Sequence, residues 1–381
     1  MKLRFVGIII VFCILMVMTT SIFAEDGAWK TTYFKRGFVG NYNANWGGGV
    51  GATLRMRAPM QFDGTKVKIF TRGCWDAETE LTKMSLVKGV DNNGKITGDA
   101  YPVLFAGTAS LKLEKGLKTA DSEEITIPIT KGIWYIQSIF SSQYYPYAYE
   151  VDYGFCEAGD NFTKETLAKK VTSYTGIVYR VDVFTTDTRP TILCYGDSIT
   201  AGYNSTPNTD NRYPAILGKL IDRPVLNLGQ NGDLVQHSNG VPGVANSLRG
   251  VDTVIYMMGI NDIIGNGAIN SVKTYSDTVK SIIGGCHAGK KKIYIGTIPP
   301  AGGYTAFDKD PAKDILRKDI NTWIRQTNGA DGVIDFDTAL ADPDDPSKMK
   351  TEYQSDKLHP SDKGYQKMAE IAAKMFVKID N

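Results

Sequence analysis

Histidine is scarce in this 381-residue chain: there are three, His237, His287 and His359. No His, Cys or Glu spacing resembles a zinc site, so no metal or other cofactor is expected. Cysteine is nearly as rare. Cys13 lies in an N-terminal apolar run, and Cys74, Cys156, Cys194 and Cys286 stand far apart without any CxxC pair. A Cys74–Cys156 disulfide in an oxidising compartment and buried free thiols both fit that spacing. An excess of one charge is also missing. Setting Lys2 and Arg4 aside, the 43 basic side chains fall level with the 41 acidic ones. That balance gives no footing for nucleic acid or an anionic membrane as partner.

Long apolar runs are lacking too, apart from Phe5 to Met18. That run is shorter than the roughly 18 residues a spanning helix needs. With Lys2 and Arg4 before it and Ala24 behind it, it has the charged start, apolar middle and small-residue exit of a signal peptide. Residues 1–24 are therefore expected to be cleaved near Ala24, leaving an exported protein with no stable membrane insertion. "WGGGVG" (Trp46–Gly51) lacks the Lys-Ser/Thr of a phosphate-binding loop and reads as a turn. "DPDDP" (Asp342–Pro346) reads as a solvated turn rather than a calcium loop.

What is present divides into two halves. From Glu25 to Asp187 the chain alternates in short runs, such as "KVKIFT" (Lys66–Thr71), "EITIPI" (Glu124–Ile129), "IWYIQSIF" (Ile133–Phe140) and "IVYRVDVF" (Ile177–Phe184). Turn signals such as "DNNGK" separate them, which predicts an antiparallel sandwich over 25–187. "TKETLAKKV" (Thr163–Val171) alone there has a helical pattern. After the linker "TTDTRP", over 190–381, strand-like runs alternate with helical ones. "TILCY", "PVLNLG", "DTVIYMMG", "KKIYIGT" and "GVIDF" are five buried-type strands, the pattern of a parallel α/β sheet. Such sheets carry chemistry at the carboxyl ends of their strands.

Ser198 falls just past the first of those strands, in "CYGDSIT" (Cys194–Thr200). A serine hydroxyl is a poor nucleophile unless a base takes its proton. His287, at a helix end, reads as a cap. His237 lies in a polar loop, with no acid suitably spaced to orient it. His359 stands in "SDKLHPSDKGY", three residues after Asp356 and before Pro360, which disfavours helix at the histidine. An acid three residues back on a tight turn can reach Nδ1 and leave Nε2 for the serine. Gly232 and Asn261 follow the second and third strands. Together with the Ser198 N–H, they are suitable donors for a developing oxyanion.

Gly196-Asp197-Ser198, Gly232, Gly259-x-Asn261-Asp262 and Asp356-x-x-His359-Pro360 resemble the four blocks of the SGNH (GDSL) hydrolases, in the family's order. Ile199 stands where the short name has leucine. The G-x-S-x-G elbow of the α/β-hydrolases is absent. "RKDINTWIR", "GVIDFDTALADP" and "LHPSDKGYQKMAE" resemble the exported two-domain branch, in which a β-domain precedes the catalytic one. "LRMRAPMQFDGTKVKIFT" resembles that β-domain more loosely.

The resemblance implies Ser198 as nucleophile, His359 as base and Asp356 as its orienting acid. It also implies Ser198, Gly232 and Asn261 as oxyanion donors, with no cofactor. The implied activity is ester hydrolysis; the expected export, the neutral charge, the aromatic-rich first half and the polar segments after the strands point to short acyl, chiefly acetyl, groups of an acetylated polysaccharide or another small ester. Lipase or acyltransferase use of the same residues, and a non-catalytic polysaccharide-binding protein, remain open readings. The five tyrosines of "QYYPYAYEVDYGF" (Gln143–Phe155) suit either a sugar platform or a strand edge. Asn161-Phe-Thr and Asn204-Ser-Thr match the glycosylation pattern.

Overall fold

In the computed structural model, residues 26–36, 40–43, 50–147, 151–172, 176–326 and 329–377 are described. The expected signal peptide, residues 46–49 of the glycine-rich turn and residues 148–150 of the tyrosine-rich stretch lie outside them. No helix among the described residues is long and apolar enough to cross a membrane.

The first half is built from antiparallel sheets. One is centred on Gly64–Arg72, with Val178–Thr185 and then Ala28–Phe34 on one side and the short Thr119–Asp121 and Ile125–Ile129 strands on the other. A second runs Lys169–Thr172, Tyr153–Glu157, Thr53–Arg57, Trp134–Phe140, Thr79–Lys88, with Tyr101–Pro102 and Leu111–Leu113 also on the Thr79–Lys88 strand. Alternate side chains of the two sheets, among them Leu54, Val67, Ile69, Leu86, Ile136, Val181 and Val183, meet in one core around Phe62 and Trp134. This is the period-two burial of packed antiparallel sheets. Gly40–Asn43 pairs separately with Tyr144–Tyr147.

The helix suggested by "TKETLAKKV" does not form. Lys169–Thr172 is a strand paired with Tyr153–Glu157. Upstream of it, the fully buried Arg55 guanidinium donates to the carbonyls of Lys164 (2.8 Å), Glu165 (3.1 Å) and Gly94 (2.6 Å). Those carbonyls serve a buried cation instead of a helical ladder, so tertiary bonding overrides local propensity.

The second half is a five-stranded parallel sheet in the order Val225–Gly229, Thr191–Gly196, Val251–Met257, Lys292–Gly296, Gly332–Ile334. The helices Tyr213–Leu220 and Asp362–Ala373 pack on each other, and Val272–Ala288 packs against Val241–Ser247 and Ala312–Arg325. Their buried faces and the sheet form one core. Read as a polar loop, the segment after the second strand contains a 3-10 turn, Val235–Gly240, and the helix Val241–Ser247. Val235, Val241 and Ala245 are its core anchors.

The two halves meet along the Val225–Gly229 edge strand. Gln61 Oε1 accepts from the Val225 N–H (2.7 Å), and Thr31 exchanges hydrogen bonds with Arg249 (3.0 and 3.1 Å). Covering an edge strand in this way blocks pairing with another chain. Arg57 of the β-half grips Asp210 with two nitrogens (2.8 and 2.7 Å) and reaches Asp152 at 2.9 Å. Arg212 also pairs with Asp152. Burial alone would raise the Asp152 carboxyl, but the charges of Arg212 and Arg57 hold it well below the ordinary range.

Candidate active site

The Thr191–Gly196 strand is buried throughout and delivers Asp197 and Ser198 to the carboxyl edge of the sheet. Asp197 caps the four-residue helix Ser198–Ala201 by accepting from the Ile199 N–H at 2.9 Å. Two glycines let that helix sit so low. A Cβ on Gly196 would lie 2.0 Å from Thr200 Oγ1, and one on Gly229 would lie 2.0 Å from the Ala201 nitrogen. Neither approach is open to a larger residue.

His359 lies in the turn before the last helix, held by its carbonyl, which accepts from the Ser355 N–H (2.9 Å) and Oγ (3.0 Å). Its Nε2 is 2.9 Å from Ser198 Oγ, and its Nδ1 is 2.8 Å from Asp356 Oδ2. Ser198 and His359 are both buried, at 6% and 9% exposure. Asp356 Oδ1 accepts from the backbone N–H groups of His359 (2.7 Å) and Leu358 (3.1 Å). Partial burial works against the charged carboxyl, yet those bonds and the facing imidazole hold Asp356 below its ordinary value. With Nδ1 donating to a carboxylate, Nε2 is left as an acceptor for the serine proton.

Gly232 adopts φ 72° and a Cβ there would meet no atom within 4 Å, so what this position requires is its backbone conformation. Among the described residues, neither the Ser198 N–H nor the Gly232 N–H has a hydrogen-bond partner. Asn261 is buried, and its Nδ2 donates to the Asp233 carbonyl at 3.0 Å. A primary amide carries two such hydrogens, so one remains for another acceptor.

Four contributors were not visible as such in the sequence. Asn204 donates from Nδ2 to Asp356 Oδ2 at 2.9 Å and to Ser355 Oγ at 3.0 Å. The Tyr203 ring lies 4.6 Å from the His359 ring. Asp233 does orient His237, against expectation, since its Oδ1 is 2.8 Å from Nδ1 four residues on. Arg36, from the β-half, pairs with Asp233. The remaining histidine, His287, sits in the last turn of its helix and meets Asp331 at 2.9 Å. All four cysteines among the described residues are buried and free, so no Cys74–Cys156 bridge is present.

Residues 194–367 match the model of the GDSL-like lipase/acylhydrolase family. This segment is a GDSL-family hydrolase domain. The hydrolase domain contains all of Ser198, Gly232, Asn261, Asp356 and His359. Similar solved structures include a member of the lipolytic protein G-D-S-L family from Veillonella parvula, 25% identical over 50% of this chain and 99% of that one, TM-score 0.40. The lipase/acylhydrolase from Enterococcus faecalis is 21% identical over 49% and 94%, TM-score 0.38. The aryl esterase of M. smegmatis is 16% identical over 49% and 97%, TM-score 0.39. No curated protein matches the chain.

A cavity of about 570 Å³ lies elsewhere, in the seam between the halves. Met56, Met60, Pro214 and Leu226 line part of it, and none of the five residues above does.

Proposed function

We propose that the protein is an exported serine esterase that removes short acyl groups, acetyl foremost, from carbohydrate. The observation that carries this reading is the unbroken chain Ser198 Oγ, His359 Nε2, His359 Nδ1, Asp356 Oδ2 within a GDSL-family hydrolase domain. As Ser198 Oγ attacks the ester carbonyl, its proton passes to His359 Nε2, and Asp356 supports the imidazolium formed. The carbonyl oxygen gains charge and draws on the Ser198 and Gly232 N–H groups and the free Asn261 hydrogen. Collapse breaks the ester bond and the leaving alcohol takes the proton back from His359. Water, deprotonated by the same imidazole, then releases the acid and restores Ser198.

The preference for a short acyl group rests on how little apolar surface the surrounding loops expose. Leu234, Val235, Ile260 and Ile263, close to Gly232 and Asn261 in sequence, are packed into the core, and Ile264 is partly buried against it. The remaining residues of "AGYNSTPNTDN" and "QNGDLVQHSNG" are polar or glycine, except for Ala201, Tyr203 and Pro207. An acyl groove would gain roughly 0.8 kcal/mol for each methylene it buries, so a lipase should favour longer chains. Export rests on the Lys2 to Ala24 pattern, and the carbohydrate target on export, neutral charge and the tyrosine-rich β-half.

The test is a chain-length series of 4-nitrophenyl esters, with Ser198→Ala as the control. The value of kcat/KM should be highest for acetyl and decline from butyryl to octanoyl, and acetate should be released from acetylated polysaccharide. Turnover should vanish in the alanine variant. A maximum at eight carbons or beyond would overturn the carbohydrate reading in favour of a lipid one.

A further inference from the structure

A side chain of the β-half reaches the catalytic edge. Arg36 follows the Ala28–Phe34 strand, and its guanidinium carbon lies 3.9 Å from the centroid of the Tyr195 ring. Its Nη2 donates to Asp233 Oδ2, with the two side chains 12% and 2% exposed. Stacking on an aromatic face while pairing with a carboxylate suits the planar guanidinium better than an ammonium.

Asp233 is the residue after Gly232, and each of its polar groups is engaged. Oδ1 faces His237 Nδ1, the carbonyl accepts from the Asn261 amide, and the N–H donates to the Gln230 carbonyl at 3.2 Å. The last bond closes the turn that carries Gly232. One residue thus ties together the Gly232 turn and the Asn261 side chain. The titratable groups gathered around it are Arg36, His237, Asp197 and Asp262. Three carboxyl groups therefore share a small buried region, with Arg36 as the permanent cation among them. A buried carboxylate that loses its partner moves to water or takes up a proton. Either response would shift the Gly232 turn.

We infer that Arg36 is a positioning residue of the oxyanion hole, supplied by the β-half: its pairing with Asp233 fixes the Gly232 N–H and the Asn261 amide where charge develops. The inference rests on the esterase reading above and assigns the β-half a part in catalysis itself. It also makes the placement of the first β-strand against the hydrolase domain a condition for full turnover.

Arg36→Ala, Arg36→Gln and Arg36→Lys test it on 4-nitrophenyl acetate, with thermal melting as the check on folding. Losing an oxyanion donor outright costs about 10²–10³ in kcat, so a displaced one should cost about 10–100-fold. The alanine and glutamine variants should show that loss with KM within about twofold of wild type. Their affinity for phenylboronic acid, whose adduct on a serine is tetrahedral, should weaken by the same factor as kcat. Arg36→Lys should recover kcat to within about fivefold of wild type, since it keeps the charge but not the stacking plane. If the alanine variant does not fold, the glutamine and lysine variants carry the comparison.

A kcat within twofold of wild type in the folded alanine or glutamine variant overturns the inference. So does a kcat loss with unchanged boronate affinity, or one that lysine does not recover. A wild-type protein without esterase activity, or one that keeps it after Ser198→Ala, overturns the functional reading first and this inference with it.

Discussion

Asn204 gives the sharpest test of how the base is oriented. Its amide donates to Asp356 Oδ2, the same atom that faces His359 Nδ1. A hydrogen bond to a charged group is worth about 1.5–3 kcal/mol where water is excluded. Here the Asp356 side chain is 38% exposed and Asn204 is exposed, so water replaces much of a lost bond. About 0.5–1.4 kcal/mol should remain, which is about two- to tenfold in kcat. The backbone adds a separate effect. Asn204 sits at φ 65°, where asparagine and glycine are at ease but alanine costs about 1 kcal/mol.

Asn204→Gly therefore removes the amide alone, whereas Asn204→Ala removes it and adds strain. Both should lose about two- to tenfold in kcat on 4-nitrophenyl acetate, and only the alanine variant should also melt lower through backbone strain. A glycine variant with wild-type kcat would show that Asp356 needs no such donor. A loss beyond about a hundredfold would equally refute the reasoning, because a screened hydrogen bond cannot supply it.

Asn261→Ala should lower kcat by about 10²–10³ with little change in KM, and should lower the melting temperature because the Asp233 carbonyl loses its buried donor. A loss under about tenfold would remove Asn261 from the oxyanion hole. Asp197 offers a pH test: burial, aided by Asp233 and Asp262, pushes its carboxyl up to about 7 against the Ile199 N–H and Arg36. The folded state then holds a proton that the unfolded chain releases near pH 4, so this group's contribution is full below about pH 4 and is lost as pH rises through about 7. Asp197→Asn keeps the helix cap, so its melting temperature should gain on wild type between about pH 4 and 7. Parallel melting curves would refute the buried, late-titrating carboxyl.

The parallel sheet was legible because each of its strands is a short apolar run followed by a helix or turn. "TILCY" against Thr191–Gly196, and "DTVIYMMG" against Val251–Met257, differ from the structure only at their ends. The β-half was legible where both faces alternate, as in Ile125–Ile129, and less so where neighbours decide the outcome. Thr53–Arg57 carries a buried arginine between Leu54 and Met56, which breaks the apolar pattern. That arginine is the reason "TKETLAKKV" is not helical. A helical pattern is local, whereas the acceptors of the Arg55 guanidinium are brought to it by sheets far apart in sequence.

The same division explains the site. Ser198, Gly232, Asn261, Asp356 and His359 could be found because each stands at a strand end or turn whose local spacing is readable. The residues that hold them are related only through space. Asn204 reads in the sequence as the first residue of Asn-Ser-Thr, yet its amide is committed to Asp356, 152 positions on. A glycan on that nitrogen would have to displace a donor from the acid that orients His359. Asp233 is separated from His237 by one helical turn, a spacing that could have been noticed, but its pairing with Arg36 spans 197 positions. Sequence spacing therefore names the candidate groups, whereas only the fold shows that Arg36 of the β-half pairs with Asp233, the residue after Gly232. Arg36→Ala in the full-length chain tests the point directly: it should show the kinetic defect while the contacts of Gln61 with Val225 and of Arg57 with Asp210 keep the two halves together.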